Sequence, residues 1–407
     1  MKHMKHVTAL AVAGIGLVTA GGASAATLDV PDGWNRANVV VGPNFTGTDE
    51  QTGESIVYDR DVTGGTEDAV TNGKIVYDYP EANGPGIKTV EGPVDTGGND
   101  LAGCIMASSD STCDGPRQSG KRLKQHITGL GPTDLVFNTD PAGTITPVTD
   151  DDGNTLDGDI GYRVFHKLTN QTGGPLAGFT LSLGTGVGDG FTASASGDGL
   201  KFSENFAIGP DSLNAYAQFP AGLFGEPIPQ NGNLGGFFDR EARSGFTTVF
   251  GEDTIETAGF FGSYGDTFGP WLTGAAVPTG LFWDDDDADT EDPLIAWILD
   301  DGTVEQRRDV NAGVVTNLAE DAFVLFDDLE DFENTDGDLF AALFSGDIED
   351  LANVNVNFAI DLSGFTGDNF TLRVTATPVP LPATAPLLVA GIGAFAMMRR
   401  RKRARAA

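Results

Sequence analysis

The chain has 407 residues, and its 59 acidic side chains outnumber 24 basic ones to give a formal net charge of −35. Charge of that sign excludes nucleic acid and anionic membrane surfaces as partners, and it strains a compact fold unless salt or divalent cations offset it. Short β-branched and aromatic runs between Gly, Asn, Asp and Pro clusters, with 56 glycines and 21 prolines in all, exclude an α/β layout and predict a mainly β chain, antiparallel and sandwich-like.

At the N-terminus Lys2 and Lys5 precede an apolar run from Val7 to Val18 and then Ala23-Ser24-Ala25. This order of charge, apolar run and small residues is that of a secretory signal, with cleavage between Ala25 and Ala26. Residues 1–25 are therefore expected to form an export helix that is no part of the fold. The remainder up to residue 378 carries all 59 acids against 16 bases.

Residues 26–140 read as an N-terminal β-rich region. Ile56-Val57-Tyr58 and Ile75-Val76-Tyr77 predict two edge-type strands, with turn signals at Gly64-Gly65 and Asn72-Gly73. Cys104 and Cys113 are the two cysteines of the chain, and in an oxidising compartment they are expected to close one small disulfide loop. Lys121, Arg122, Lys124 and His126 form a basic cluster best explained as a solvated element end.

Residues 141–161 are polar, acidic and turn-rich, and they suit a linker or a long loop. Their aspartates do not fit a calcium-loop template, because both end ligands are missing. The region 162–378 follows as the sandwich-like part. Tyr162, Val164, His166 and Leu168 alternate, which places His166 on an inward face as a core histidine bonded to a backbone group. After Thr169-Asn170-Gln171-Thr172-Gly173 the strand Phe179-Leu181-Leu183 is expected to return as a hairpin. This pattern resembles the opening hairpin of exported sandwich domains that carry exosortase signals.

The stretch from Gly235 to Trp297 holds three of the four tryptophans, Trp271, Trp283 and Trp297. Its segments 236–246, 268–272 and 280–287 resemble the choice-of-anchor F family of exported bacterial proteins, and membership implies no activity. Within it Asp284, Asp285, Asp286, Asp287, Asp289, Glu291 and Asp292 crowd between two apolar runs. If those runs pair as strands, the acids fill the connecting loop. Two readings stand for it: a hydrated acidic loop, or a site for Ca2+, the hard oxygen-seeking ion that relieves such repulsion.

An acidic helical insertion is predicted over about 319–352. Leu325, Leu329, Phe332, Leu339, Leu343, Phe344, Ile348 and Leu351 recur there at three- and four-residue steps, and Asp336 or Asp338 would cap the second helix. Val354 to Leu362 and Phe370 to Ala376 then alternate as a terminal hairpin.

The C-terminal segment, 379–407, has three parts. Val379-Pro380-Leu381-Pro382-Ala383 is followed by a charge-free run to Met398, and then by Arg399, Arg400, Arg401, Lys402, Arg403 and Arg405. The 16 residues from Ala383 to Met398 reach about 24 Å as a helix, short against a hydrocarbon core of ~30 Å, with snorkelling arginines covering part of the gap. The basic end stays cytoplasmic by the positive-inside rule, so the rest of the chain lies outside. These residues resemble the VPLPA variant of the PEP-CTERM-like sorting signal. The resemblance implies recognition by an exosortase, a membrane-embedded cysteine protease cutting near Pro382 and Ala383. Leu381-Pro382-Ala383-Thr384 also fits the start of a sortase motif, but Ala385 stands where Gly belongs. A plain single-pass anchor would give the same topology.

No P-loop, dinucleotide fingerprint, zinc motif or nucleophile elbow is present in the sequence. The expectation is a non-enzymatic exported protein of the cell surface or extracellular matrix with no required cofactor, a Ca2+-dependent role in adhesion or matrix assembly, and secretion machinery and extracellular polysaccharide as partners. The alternatives are a Ca2+-assisted carbohydrate-binding module using Trp271, Phe282 or Trp283 as platforms, and a secreted hydrolase built on a carboxylate pair. The sorting signal has a direct check. C-terminal mass analysis should show loss of the residues after the VPLPA motif in a host with the processing protease and their retention in a strain lacking it. A full-length tail in both would contradict it.

Overall fold

A computed structural model of the chain describes residues 26–30, 33–42, 53–64, 68–77, 86–94, 101–107, 122–141, 143, 161–203, 224–225, 236–239, 246–259, 271–284 and 292–379. These residues are mainly β, with multiple antiparallel sheets and few helices. Two large sheets dominate, one of nine strands and one of eight.

Two pairs of long strands organise both sheets. Gly161–Asn170 and Leu176–Thr185 are joined by a five-residue loop, yet they do not pair with each other. The first lies in the nine-stranded sheet and the second in the eight-stranded one. Asn353–Asp361 and Asn369–Pro378 repeat this arrangement. Each pair is an arch between sheets, and the hairpins expected at both places are corrected accordingly. The arches pair with one another. Gly161–Asn170 runs antiparallel to Asn353–Asp361 from Gly161↔Asp361 to Thr169↔Asn353. Leu176–Thr185 runs antiparallel to Asn369–Pro378 from Leu176↔Pro378 to Gly184↔Thr371, with a bulge beside Gly178.

The corner of the first arch is held by side-chain bonds instead of a ladder. Asn170 Oδ1 accepts from Thr172 N at 3.0 Å, and Asn170 Nδ2 donates to Gly174 O at 2.9 Å. An Asn that closes a turn on itself in this way redirects the chain without needing a partner strand. Burial gives the second reason: every position of Gly161–Asn170 except Lys167 is buried, so the strand is covered on both faces. Cys104, Met106, Phe165 and Ala359 pack on one face, and Val164 and Leu168 join the main core on the other.

That main core takes Val164, Leu168, Val356 and Phe358 from the nine-stranded sheet and Phe179, Leu181, Leu372 and Val374 from the eight-stranded sheet. Strands from 26–140 and from 162–378 lie side by side in both sheets. Thr133–Asp140 pairs with Asn369–Pro378, while Leu123–Ile127 and Leu101–Met106 lie parallel to Gly161–Asn170. The predicted edge strands are corrected here. Gly53–Tyr58 and Thr71–Tyr77 pair with each other inside the nine-stranded sheet, flanked by Val39–Val41 and Leu123–Ile127. Asn72-Gly73 belongs to a strand, and a Cβ on Gly73 would meet Thr133 Oγ1 at 2.6 Å, so this glycine serves a close approach between sheets.

Between Thr254–Gly259 and Asn353–Asp361 the chain forms a further sheet of five antiparallel strands, of which the sequence pattern suggested only the central pair around the acidic run. Its order is Val324–Phe326, Val304–Gln306, Leu294–Ile298, Thr279–Trp283, Leu343–Asp347. Leu281, Ile295, Ala296, Val304, Phe326, Phe332 and Leu339 form its own core. Leu294, Trp297, Ile348 and Leu351 belong to the main one. The insertion begins and ends at one point. Trp271 Nε1 donates to Ala352 O at 2.7 Å, Asn170 N donates to the same oxygen at 3.0 Å, and Asn170 Nδ2 reaches Trp271 O at 3.1 Å.

The expected helical passage shrinks to Leu329–Thr335 and Gly337–Phe340. Leu325, Leu343 and Phe344 lie instead on the two outer strands of the sheet, and Leu351 ends a 3-10 turn. The capping expectation holds at Asp336, whose Oδ1 accepts from Leu339 N at 3.3 Å, and Asp328 caps the preceding helix at 2.9 Å.

An ion pair with a buried carboxylate fastens Asn369–Pro378 to Thr133–Asp140. Arg373 and Asp134 face each other in the ladder and bond twice, Nε to Oδ1 at 2.7 Å and Nη2 to Oδ2 at 2.8 Å. Gly188 N donates to Asp134 Oδ2, Arg373 Nη2 donates to Gly188 O, and the guanidinium lies 3.8 Å from the centre of the Phe191 ring. Arg373→Met strands a desolvated carboxylate and should cost about 3–5 kcal/mol in urea unfolding. The double variant Asp134→Asn, Arg373→Met should recover part of that loss. Equal stability of wild type and single variant would contradict the role given to the pair.

Candidate functional site

The five-stranded sheet concentrates the charge of the molecule. Residues 279–351 hold 23 acidic side chains against two basic ones, Arg307 and Arg308. The sequence between Arg243 and Arg373 contains no other basic residue. Arg308 is buried and Arg307 partly buried. Arg308 is 1% exposed and donates from Nε to Asn317 Oδ1 and from Nη1 to Leu294 O, each at 3.0 Å. Burial lowers its pKa to about 9, so it remains charged at neutral pH. Arg307 sits within 5.0–5.8 Å of the ring centres of Phe237, Phe238, Trp297 and Phe323 and pairs with Glu305, which also accepts from Trp297 Nε1 at 3.1 Å. Cation–π contacts and a neighbouring carboxylate account for an arginine held in that box. The sheet surface is thereby left anionic.

The acidic run connects paired strands, the condition on which the sequence placed it in a loop. Phe282 lies opposite Leu294 and Leu281 opposite Ala296, which puts Asp284 and Asp292 at the two roots of the loop. Asp284 is exposed and Asp292 half-buried, whereas Asp285, Asp286, Asp287, Asp289 and Glu291 lie outside the described residues. The buried Arg308 guanidinium reaches Leu294 O, two residues beyond Asp292. Among the described residues no three His, Cys, Asp or Glu side chains converge as a metal site.

The aromatic candidates separate by burial. Trp271 and Trp297 are buried, at 0% and 3% exposure. Phe282 and Trp283 are half-buried neighbours on one strand and so face opposite sides of the sheet. Phe344 is exposed and stacks on Phe282 with ring centres 5.6 Å apart. Stacking on a sugar calls for two or more open rings in one groove, and among these five residues Phe344 alone is open.

His166 is fully buried, and its partner is a side chain, Gln125 Oε1 at 2.9 Å from Nε2, in place of the expected backbone group. Burial pushes its pKa down to about 3, so it is a neutral core residue. Lys124 and His126 occupy the half-exposed positions of a strand in which Leu123, Gln125 and Ile127 are buried. Cys104 is fully buried and disulfide-bonded, and Cys113 lies outside the described residues.

Of the signal cleavage residues, Ala26 is described and buried, and Ala23 and Ala25 lie outside the described residues. So do Pro380, Leu381, Pro382, Ala383 and the basic tail from Arg399 to Arg405, whereas Val379 ends the described chain. Among the described residues no helix is long and apolar enough to cross a membrane. No family model, curated protein or solved structure matches the chain.

The internal contacts of Arg307 and Arg308 escaped the sequence reading, although their isolation between Arg243 and Arg373 marks them. His166 gives a pH test of the core. Its folded pKa, about 3, lies below the unfolded value near 6.5, so its contribution is complete above pH 6.5 and is lost as pH falls toward 3. Relative to His166→Gln, wild type should lose on the order of 4–5 kcal/mol over that interval. Parallel stability curves for the two proteins would contradict the buried, neutral state.

Proposed function

We propose that the chain is an exported, non-enzymatic protein of the cell surface or extracellular matrix, in which the two large sheets form a sandwich that carries an anionic contact sheet. One observation carries this reading: residues 279–351 hold 23 acidic side chains, while of their two arginines Arg308 is buried and Arg307 is partly buried and paired with Glu305. Packed like charges cost stability, and a fold that engages its two local cations in internal contacts leaves that cost on the solvent side. An ionic exterior supplies the counter-charge. Calcium is the cation best suited to the loop between Asp284 and Asp292, since carboxylate oxygens are its preferred ligands. The disulfide at Cys104 fits an oxidising compartment. The N-terminal signal and the VPLPA segment supply the route, with an exosortase-type protease as the processing partner. Adhesion or matrix assembly then proceeds through the anionic sheet, bridged by cations to acidic polysaccharide or bound directly by cationic groups.

The test is thermal unfolding of the purified chain during a calcium titration. The melting temperature should rise at millimolar Ca2+ and exceed the rise given by magnesium. Replacing Asp285, Asp286 and Asp287 by Asn should remove most of that difference. No upward shift would end the calcium role, and an equal shift with magnesium would reduce it to general screening.

A further inference from the structure

The strand Leu343–Asp347 forms one side of the five-stranded sheet. All five of its residues pair with Thr279–Trp283, from Trp283↔Leu343 to Thr279↔Asp347, with no break in register. Among the described residues nothing pairs with its other side. Phe344, Ser345 and Asp347 are exposed, Phe344 at 44%. Natural edges are usually blunted by a lysine, a proline, a bulge or a covering loop, because unpaired backbone groups otherwise recruit another strand. This edge has no lysine, proline or bulge, and it displays an aromatic ring at its second position.

An open edge admits a strand, and the surrounding charge selects which one. Asp284 follows Trp283, the residue opposite Leu343, and so marks one end of the edge. Asp347 and Glu349 mark the other, and both are exposed. No basic residue occurs from Asp309 to Leu372. A second copy of the chain would bring a further net charge of −35 to the same place, which disfavours self-pairing. A strand with Lys or Arg at its two ends would set those cations against the end carboxylates while an apolar residue between them covered Phe344.

We infer that Leu343–Asp347 is a strand-addition site for an extended cationic segment of a partner polypeptide, basic at both ends and apolar at the centre. The inference rests on the proposed role of this sheet as a contact face. Main-chain bonds to the edge supply the affinity, and the end charges and Phe344 select the sequence. Because the charges are exposed, binding weakens as salt rises.

The experiment uses the purified chain in EDTA, so that the calcium role is not probed. A fluorescently labelled Lys-Lys-Val-Thr-Val-Lys-Lys peptide is compared with a copy N-methylated at both valines and with its Glu-for-Lys counterpart. Anisotropy measures affinity, and hydrogen exchange locates the contact. The expected result is binding that protects amides at 343–347 and weakens about tenfold or more on N-methylation. Asp347→Lys and Phe344→Ala, both at exposed positions, should each weaken it while leaving the melting temperature near wild type. Equal affinity for the N-methylated copy would overturn the inference by reducing binding to surface charge. Absence of binding, protection elsewhere, or a homodimer dissolved by Phe344→Ala would overturn it too. A failed peptide experiment beside a positive calcium titration removes this inference alone.

Discussion

Everything in the described structure hangs on the pairing of two arches. Gly161–Asn170 with Asn353–Asp361 and Leu176–Thr185 with Asn369–Pro378 are single ladders in separate sheets, yet each arch supplies one strand to both. The contacts are of very long range, with Gly161 opposite Asp361. Closing such a distance costs loop entropy that must be met before the ladders form, so the stabilisation has to be gained in both sheets together. Val164, Leu168, Phe179, Leu181, Val356, Phe358, Leu372 and Val374 join in one core and provide that gain. The Arg373–Asp134 pair then ties a third strand to the same unit.

The anionic sheet is inserted into this lock. Trp271 at its entry and Ala352 at its exit meet at Asn170, the corner of the first arch. Leu294, Trp297, Ile348 and Leu351 seat the insertion on the main core, so its charged outer loops can vary without disturbing the arches. Arg307 and Arg308 hold its inner face, one in an aromatic box and the other against Leu294 O. Acidic loops and open edges therefore sit on a scaffold whose stability comes from elsewhere.

Much of the fold was legible as alternation. The strands around Val164, Phe179, Val356 and Leu372 all read correctly, because period-two apolar residues mark a half-buried strand whatever its partner. Partner choice was not legible. A five-residue turn such as 171–175 serves a hairpin and an arch equally well, and only the Asn170 side-chain bonds distinguish them. The three- and four-residue steps from Leu325 to Leu351 mark two short helices and run on past them, because a short strand lies on either side of that pair and a 3-10 turn follows. Gly73 looked like a turn residue and proved to be a contact with Thr133. At the candidate site the acidic run between two paired strands was visible in the sequence. The contacts of Arg307 and the burial of Arg308 were not, since they depend on rings and carbonyls brought from distant segments such as Phe237 and Leu294.

Native-state hydrogen exchange tests the interlocked arches most directly. If each sheet is complete only with the other, the amides of all four arch strands should be the slowest in the molecule and share one opening free energy, with those of 279–347 exchanging sooner. Two separate opening energies, one for Gly161–Asn170 with Asn353–Asp361 and a different one for Leu176–Thr185 with Asn369–Pro378, would show that the sheets stand independently and would contradict the account.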